Sequence, residues 1–148
     1  MISDTKVVAI GGGTGLSTML KGLKLHTHNI TAVVTVADDG GSSGILRSDL
    51  GMLAPGDVRN CVSALAEVDP VMGELLNFRF KDGSLKGHSL GNLFLAALNE
   101  TSSSFDEAVK KFSHLTGVVG TVYPVTNESV TLSALLEDGR LIEGESHI

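Results

Sequence analysis

Within the first 44 residues a run of apolar, largely β-branched side chains twice ends in a glycine-rich loop, and this repetition restricts the fold more than any other feature. Val7-Val8-Ala9-Ile10 leads into Gly11-Gly12-Gly13-Thr14-Gly15, and residues 30–37 lead into Asp38-Asp39-Gly40-Gly41-Ser42-Ser43-Gly44. Between them Leu16, Met19, Leu20 and Leu23 recur at helical spacing, so the segment reads as a βαβ unit. Its strands are almost continuously apolar, as in parallel sheets covered by helices on both faces. The expected fold is therefore α/β: a Rossmann-like three-layer α/β/α sandwich with a mostly parallel sheet and a right-handed crossover.

Downstream, residues 45–56 fit no periodic template and read as irregular. Pro55-Gly56-Asp57 then supplies a turn and N-cap for a helix with the stripe Val58, Cys61, Val62, Leu65 and Ala66. A short helix is expected over 71–78, and a surface turn around Asp82-Gly83. Ser89 caps a helix with Leu90, Leu93, Phe94, Ala97 and Leu98 on one face, and Ser104 with Glu107 makes a capping-box pattern for the next. Residues 118–123 read as a strand stopped by Pro124, and a C-terminal β-hairpin turns at Asp138-Gly139.

A chain of 148 residues that is 42% hydrophobic supports one packed domain, 1–148. The net charge of −6, with 4% aromatics and no Trp, argues against nucleic-acid binding, which needs basic clusters or stacking platforms. No stretch is long and apolar enough to cross a bilayer, and no apolar leader precedes the first strand, so a cytoplasmic protein is expected. The single cysteine, Cys61, lies on an apolar helix face and reads as core.

The glycine loops carry the chemistry. The first is neither G-x-G-x-x-G nor a P-loop, because Leu16 and Ser17 stand where those motifs need glycine and lysine. Bare glycine backbone at a helix start nevertheless lets an anion approach the amides, with Thr14 close by. Asp38 ends the second strand, where a carboxylate accepts ribose hydroxyls; sharing a Mg²⁺ with Asp39, or forming an Asx turn, are the rival roles. Gly40, Gly41, Ser42, Ser43 and Gly44 suggest a second amide nest. Arg47 and Arg59 either meet the anion or are solvated, and Asn60 donates to a ligand or to its own helix start. His88 is structural or ligand-binding, Asn92 suits a base edge or sugar amide, and His26, His28, His114 and His147 read as structural. No hydrolytic triad spacing and no structural zinc motif is present.

Four strings together, Ile10-Gly-Gly-Gly-Thr-Gly-Leu16, Val36-Ala-Asp-Asp-Gly-Gly-Ser-Ser-Gly44, Pro55-Gly-Asp-Val-Arg-Asn60 and Gly87-His-Ser-Leu-Gly-Asn-Leu93, resemble the YvcK-like gluconeogenesis factors, relatives of the CofD-type 2-phospholactate transferases. The resemblance implies a cytoplasmic protein that binds a UDP-sugar such as UDP-N-acetylglucosamine, or NAD, and supports growth on gluconeogenic carbon and normal cell shape. It implies contacts from residues 11–15 and 38–44, from Asn60, from His88, Ser89 and Asn92, and from Thr126. Family members continue beyond Ile148, so the chain is expected to be the N-terminal part of a longer fold. A regulatory protein without catalysis is the first reading, with homo-oligomers and protein partners left open. A Mg²⁺-dependent transferase, using a nucleotide-activated donor, is the second.

Overall fold

Residues 3–148 are described by a computed structural model. Strand β1 (Val7–Gly11), helix α1 (Gly13–Leu23) and strand β2 (Ile30–Val34) form the expected βαβ unit. β2 in turn pairs in parallel with β3 (Thr121–Pro124), so the sheet order is β1-β2-β3. Five helices occupy the second crossover: α2 (Gly41–Leu50), α3 (Gly56–Leu65), α4 (Pro70–Asn77), α5 (Leu90–Glu100) and α6 (Phe105–Leu115). The antiparallel hairpin β4 (Ser133–Leu135) and β5 (Leu141–Glu143), with Ala134 opposite Ile142, precedes a 3₁₀ turn over Glu145–His147.

Both crossovers step across the sheet in the same direction, and right-handed connections then put every helix on the same face. Ala9, Ala32 and Val122 stand in register on that face and are buried. On the other face Val8 and Ile10 remain 65% and 75% exposed, so the second helical layer expected from their apolarity is not among the described residues. Helix α3 is central, lying against α1, β2 and β3. Its Val58, Cys61, Val62 and Leu65 are fully buried with Leu20, Leu95, Val109 and Phe112. Each such aliphatic or aromatic side chain contributes about 1.5–3 kcal/mol by leaving water.

Four local expectations change. Residues 45–50 are helical: α2 runs on until Gly51, whose φ of 63° closes it in the left-handed conformation. Its inward face is built partly from Ser42 and Ser43, which are buried against polar partners, so it has no apolar period to detect. Residues 118–120 precede β3 instead of entering it, because the Val118 and Val119 amides donate to Ser113 and Leu65. Glu107 does not close the capping box on Ser104. Ser104 Oγ accepts the Glu107 amide, but the Glu107 carboxylate reaches Ser103 N and Oγ at 2.7 and 2.5 Å. Ser89 caps α5 as expected, accepting the Asn92 amide at 3.2 Å, but the helix buries Gly91, Asn92, Leu95 and Ala96 while Phe94 and Ala97 of the expected stripe are exposed, because Asn92 bonds inward to Arg59 and Ser42 and Gly91 packs on Leu76.

A candidate anion-binding cleft at the strand ends

Three helix starts meet beyond the carboxyl end of β2. Helix α2 follows Gly40 and α3 follows Pro55, and neither has a side-chain cap. The expected cap, Asp57, lies inside the first turn of α3 instead. The Gly56 amide donates to Ser43 Oγ at 3.2 Å and so ties the two starts together. A Cβ at Gly56 would lie 2.5 Å from that hydroxyl, which makes glycine a packing requirement. Helix α5 docks just as closely, since a Cβ at Gly91 would sit 2.5 Å from the Leu76 carbonyl oxygen and 2.8 Å from Arg59 Cδ.

Between them is a cleft of about 230 Å³ lined by Asp38, Gly40, Gly41, Ser42, Ser43, Gly56, Asp57, Arg59, Asn60, Arg79 and Asn92. Behind it runs a buried polar chain. Ser42 Oγ is hydrogen-bonded to His88 Nδ1 at 2.9 Å and accepts from Asn92 Nδ2 at 3.1 Å. Asn92 Oδ1 accepts from Arg59 Nε at 3.3 Å, and Arg59 Nη1 donates to Asn77 Oδ1 at 2.9 Å. Arg59 is only 6% exposed, and among the described residues no carboxylate lies within 4.0 Å of it. Burial holds its guanidinium below the usual arginine range, the neighbouring Arg79 pushes the same way, and Asp57 opposes both.

The half-buried Asp57 carboxylate reaches back to the first glycine loop. A Cβ at Gly12 would lie 2.7 Å from Asp57 Oδ2, so the protein's own carboxylate stands over this turn. Burial raises the Asp57 pKa, the Gly13 amide lowers it, and Asp38 raises it further. Asp38 Oδ1 accepts the Gly40 amide at 2.9 Å, the Asx turn among its three anticipated roles. Asp39 turns away from the cleft. Its carboxylate accepts the Ser146 amide at 2.9 Å, and this contact holds its pKa below the usual value.

Eight of the anticipated residues therefore line one cleft: Asp38, Gly40, Gly41, Ser42, Ser43, Arg59, Asn60 and Asn92. His88 stands one hydrogen bond behind Ser42, and Ser89 serves as a cap. Gly11, Gly12, Gly13, Thr14 and Gly15 lie outside the cleft lining, on the other side of Asp57, and so do Asp39, Gly44 and Thr126. Arg47 plays neither of its anticipated parts: its guanidinium donates to the carbonyls of Ala37, Asp38 and Val130, stapling the end of β2 to the C-terminal arm. Asp57, Asn77 and Arg79 were not legible as site residues. Arg79 is set opposite Ser89 by an isolated antiparallel bridge, and the alternation Phe78-Arg79-Phe80 was its one local signal. No three His, Cys, Asp or Glu side chains converge as a metal site among the described residues.

Residues 7–148 match the family described as 2-phospho-L-lactate transferase CofD. A protein of Thermoanaerobacterium thermosulfurigenes is 63% identical over 147 residues, covering 99% of this chain and 46% of its own length. The Gluconeogenesis factor of Bacillus subtilis is 51% identical over 144 residues, covering 97% of this chain and 45% of its own. A crystal structure of a Bacillus halodurans protein superposes with a TM-score of 0.92 at 48% identity over 97% of this chain and 47% of that one. A second crystal structure from the same organism, described as a UPF0052 family member, gives 0.90 at 46% identity over the same shares. The chain thus spans less than half the length of these relatives, and across nearly all of its own length it belongs to the CofD family.

Proposed function

We propose that this chain is the nucleotide-binding part of a cytoplasmic regulatory protein of the gluconeogenesis-factor type, which takes a UDP-sugar such as UDP-N-acetylglucosamine, or NAD, and needs no catalysis of its own. The observation that carries the reading is the cleft beyond β2, where two uncapped helix starts and a buried guanidinium without a carboxylate face a single concavity. Ligands of open α/β sheets bind at this edge, and helix starts favour negative charge. The similarity to the Bacillus subtilis Gluconeogenesis factor supports a role in growth on gluconeogenic carbon. We extend that role to cell shape, exerted through a protein partner or a change of oligomeric state.

The test is the melting temperature of the intact protein against a panel of UDP-sugars and NAD. A ligand at a hundred times its Kd adds about 2.7 kcal/mol, or about 3–5 °C for an intact protein about twice the length of this chain. An unmoved melting temperature across the panel removes the nucleotide reading.

The family match also favours a second reading, transfer of a phospholactyl-type group from a nucleotide-activated donor with Mg²⁺. Mg²⁺ takes one or two carboxylates together with substrate phosphate oxygens, and Asp38 and Asp57 at the cleft fit that donor set. When bound it would neutralise charge on the departing phosphate. Absence of any metal-dependent product from an activated donor and a deazaflavin acceptor counts against this reading.

A further inference from the structure

We infer that Arg59 and Arg79, with the amides that open α2, form a preset subsite for a phosphate dianion, the phosphorylated end of whatever ligand enters the cleft. Arg59 is held rigidly. Its Nε donates to Asn92 and its Nη1 to Asn77, both through side-chain amide oxygens that carry no charge. Its Nη2 has no hydrogen-bond partner among the described residues. A guanidinium 6% exposed, fixed by neutral acceptors and open on one edge, is a charge waiting for an anion, since buried charges are otherwise paired.

Two further observations point the same way. Arg79 lines the same cleft, and its guanidinium is steadied by the Gly87 carbonyl, again a neutral acceptor. Like charges are thus brought to one concavity instead of being dispersed, and Arg79 lowers the proton affinity of Arg59. The amides of Gly41, Ser42 and Ser43 have neither helical nor side-chain partners. They line the cleft at the positive end of a ten-residue helix.

Two carboxylates, Asp38 and Asp57, share the cleft lining, but neither pairs with Arg59 or Arg79. Asp38 accepts the Gly40 amide and Asp57 stands over the Gly12 turn. At about 230 Å³ the cleft is smaller than the pockets that enclose a whole drug-sized ligand, about 300–1,000 Å³, so it suits the phosphate and not the base or sugar. The assignment deepens the nucleotide reading and rests on it only for the identity of the rest of the ligand.

Isothermal titration of the intact protein with inorganic phosphate, UDP-N-acetylglucosamine and uridine tests the assignment, in the parent and in Arg59→Gln and Arg79→Gln. Arg79 is exposed, so its variant reports on binding even where Arg59→Gln fails to fold. The expected result is phosphate binding by the parent that weakens about tenfold or more in each variant, as for loss of a charge-assisted contact. Uridine binding is expected to stay unchanged. If the UDP-sugar binds the parent and both variants equally, the subsite is wrong and the nucleotide reading stands. If phosphate binds in an arginine-dependent way while no nucleotide binds, the subsite stands and the nucleotide reading falls. Parent protein that takes up no phosphate overturns the assignment.

Discussion

Replacing Gly91 by alanine sets two effects against each other, and the structure decides between them. In a helix, alanine is favoured over glycine by about 0.8–1.0 kcal/mol, so propensity alone predicts stabilisation. At Gly91 the new Cβ would sit 2.5 Å from the Leu76 carbonyl oxygen and 2.8 and 3.1 Å from Arg59 Cδ and Cγ. The first neighbour is backbone at the end of α4, and the second is a side chain pinned at Nε and Nη1. Neither yields without moving α4 from α5 or breaking the Arg59–Asn92 contact. Overpacking of this kind costs about 1–3 kcal/mol, which leaves a net loss of up to about 2 kcal/mol, or up to about 8 °C in melting temperature. Gly22→Ala in α1 is the control, because nothing lies within 4 Å of its added Cβ. Propensity then acts alone, and the expected change is a gain of up to about 1 kcal/mol. Calorimetry of the two variants beside the parent reads the signs directly. A Gly91→Ala protein that melts above the parent, as Gly22→Ala should, would refute the packing account of α4, α5 and Arg59.

Other expectations follow from single sites. Phe112 is fully buried beside Phe94, with ring centroids 5.5 Å apart, so Phe112→Ala should lower stability by about 3–5 kcal/mol in urea titration. Burial pushes the Cys61 thiol up to about 12, so Ellman's reagent at pH 8 should leave the native protein unmodified and label one thiol once urea unfolds it. Rapid labelling of the native state would contradict its burial. The Ser103 hydroxyl and amide, then Lys111, lower the Glu107 carboxyl to about 2, beneath its ordinary 4.5. A lowered acid pKa gives stability that is whole above 4.5 and is lost as pH falls through about 2, so the parent should weaken over that window. Glu107→Gln should flatten that part of the profile. An identical acid profile for the variant would remove Glu107 from the start of α6.

Much of the architecture is legible in local chemistry. β1, α1 and β2 follow from apolar runs broken by glycine, and α3 and α6 follow from stripes at helical spacing that the structure buries. Helix α5 lies where its stripe placed it but turns another face inward, because the polar contacts of Asn92 and the close approach at Gly91 come from distant parts of the chain. Ser89 and Ser104 mark helix starts because a hydroxyl accepting an orphan amide is a short-range event. Helix α2 was not legible, since beside Leu46 its buried side chains are serines whose partners lie 46 and 13 residues away at His88 and Gly56. Asp57 read as a cap for the same reason: its real neighbour, the Gly12 turn, comes from another part of the chain.

The sequence by itself determined that this is an α/β chain with glycine loops at the ends of its strands, because periodicity and backbone freedom are properties of short segments. Only the tertiary structure decided which of those loops share a cavity. Sheet order and crossover hand put all the helices on one face, bringing the starts of α2, α3 and α5 together and burying Arg59 among neutral acceptors. The same geometry covers the first loop with Asp57 and draws Asp39 away to Ser146. Burial and pairing between residues distant in sequence turn a glycine-rich pattern into a particular charge distribution, and no local window contains that information.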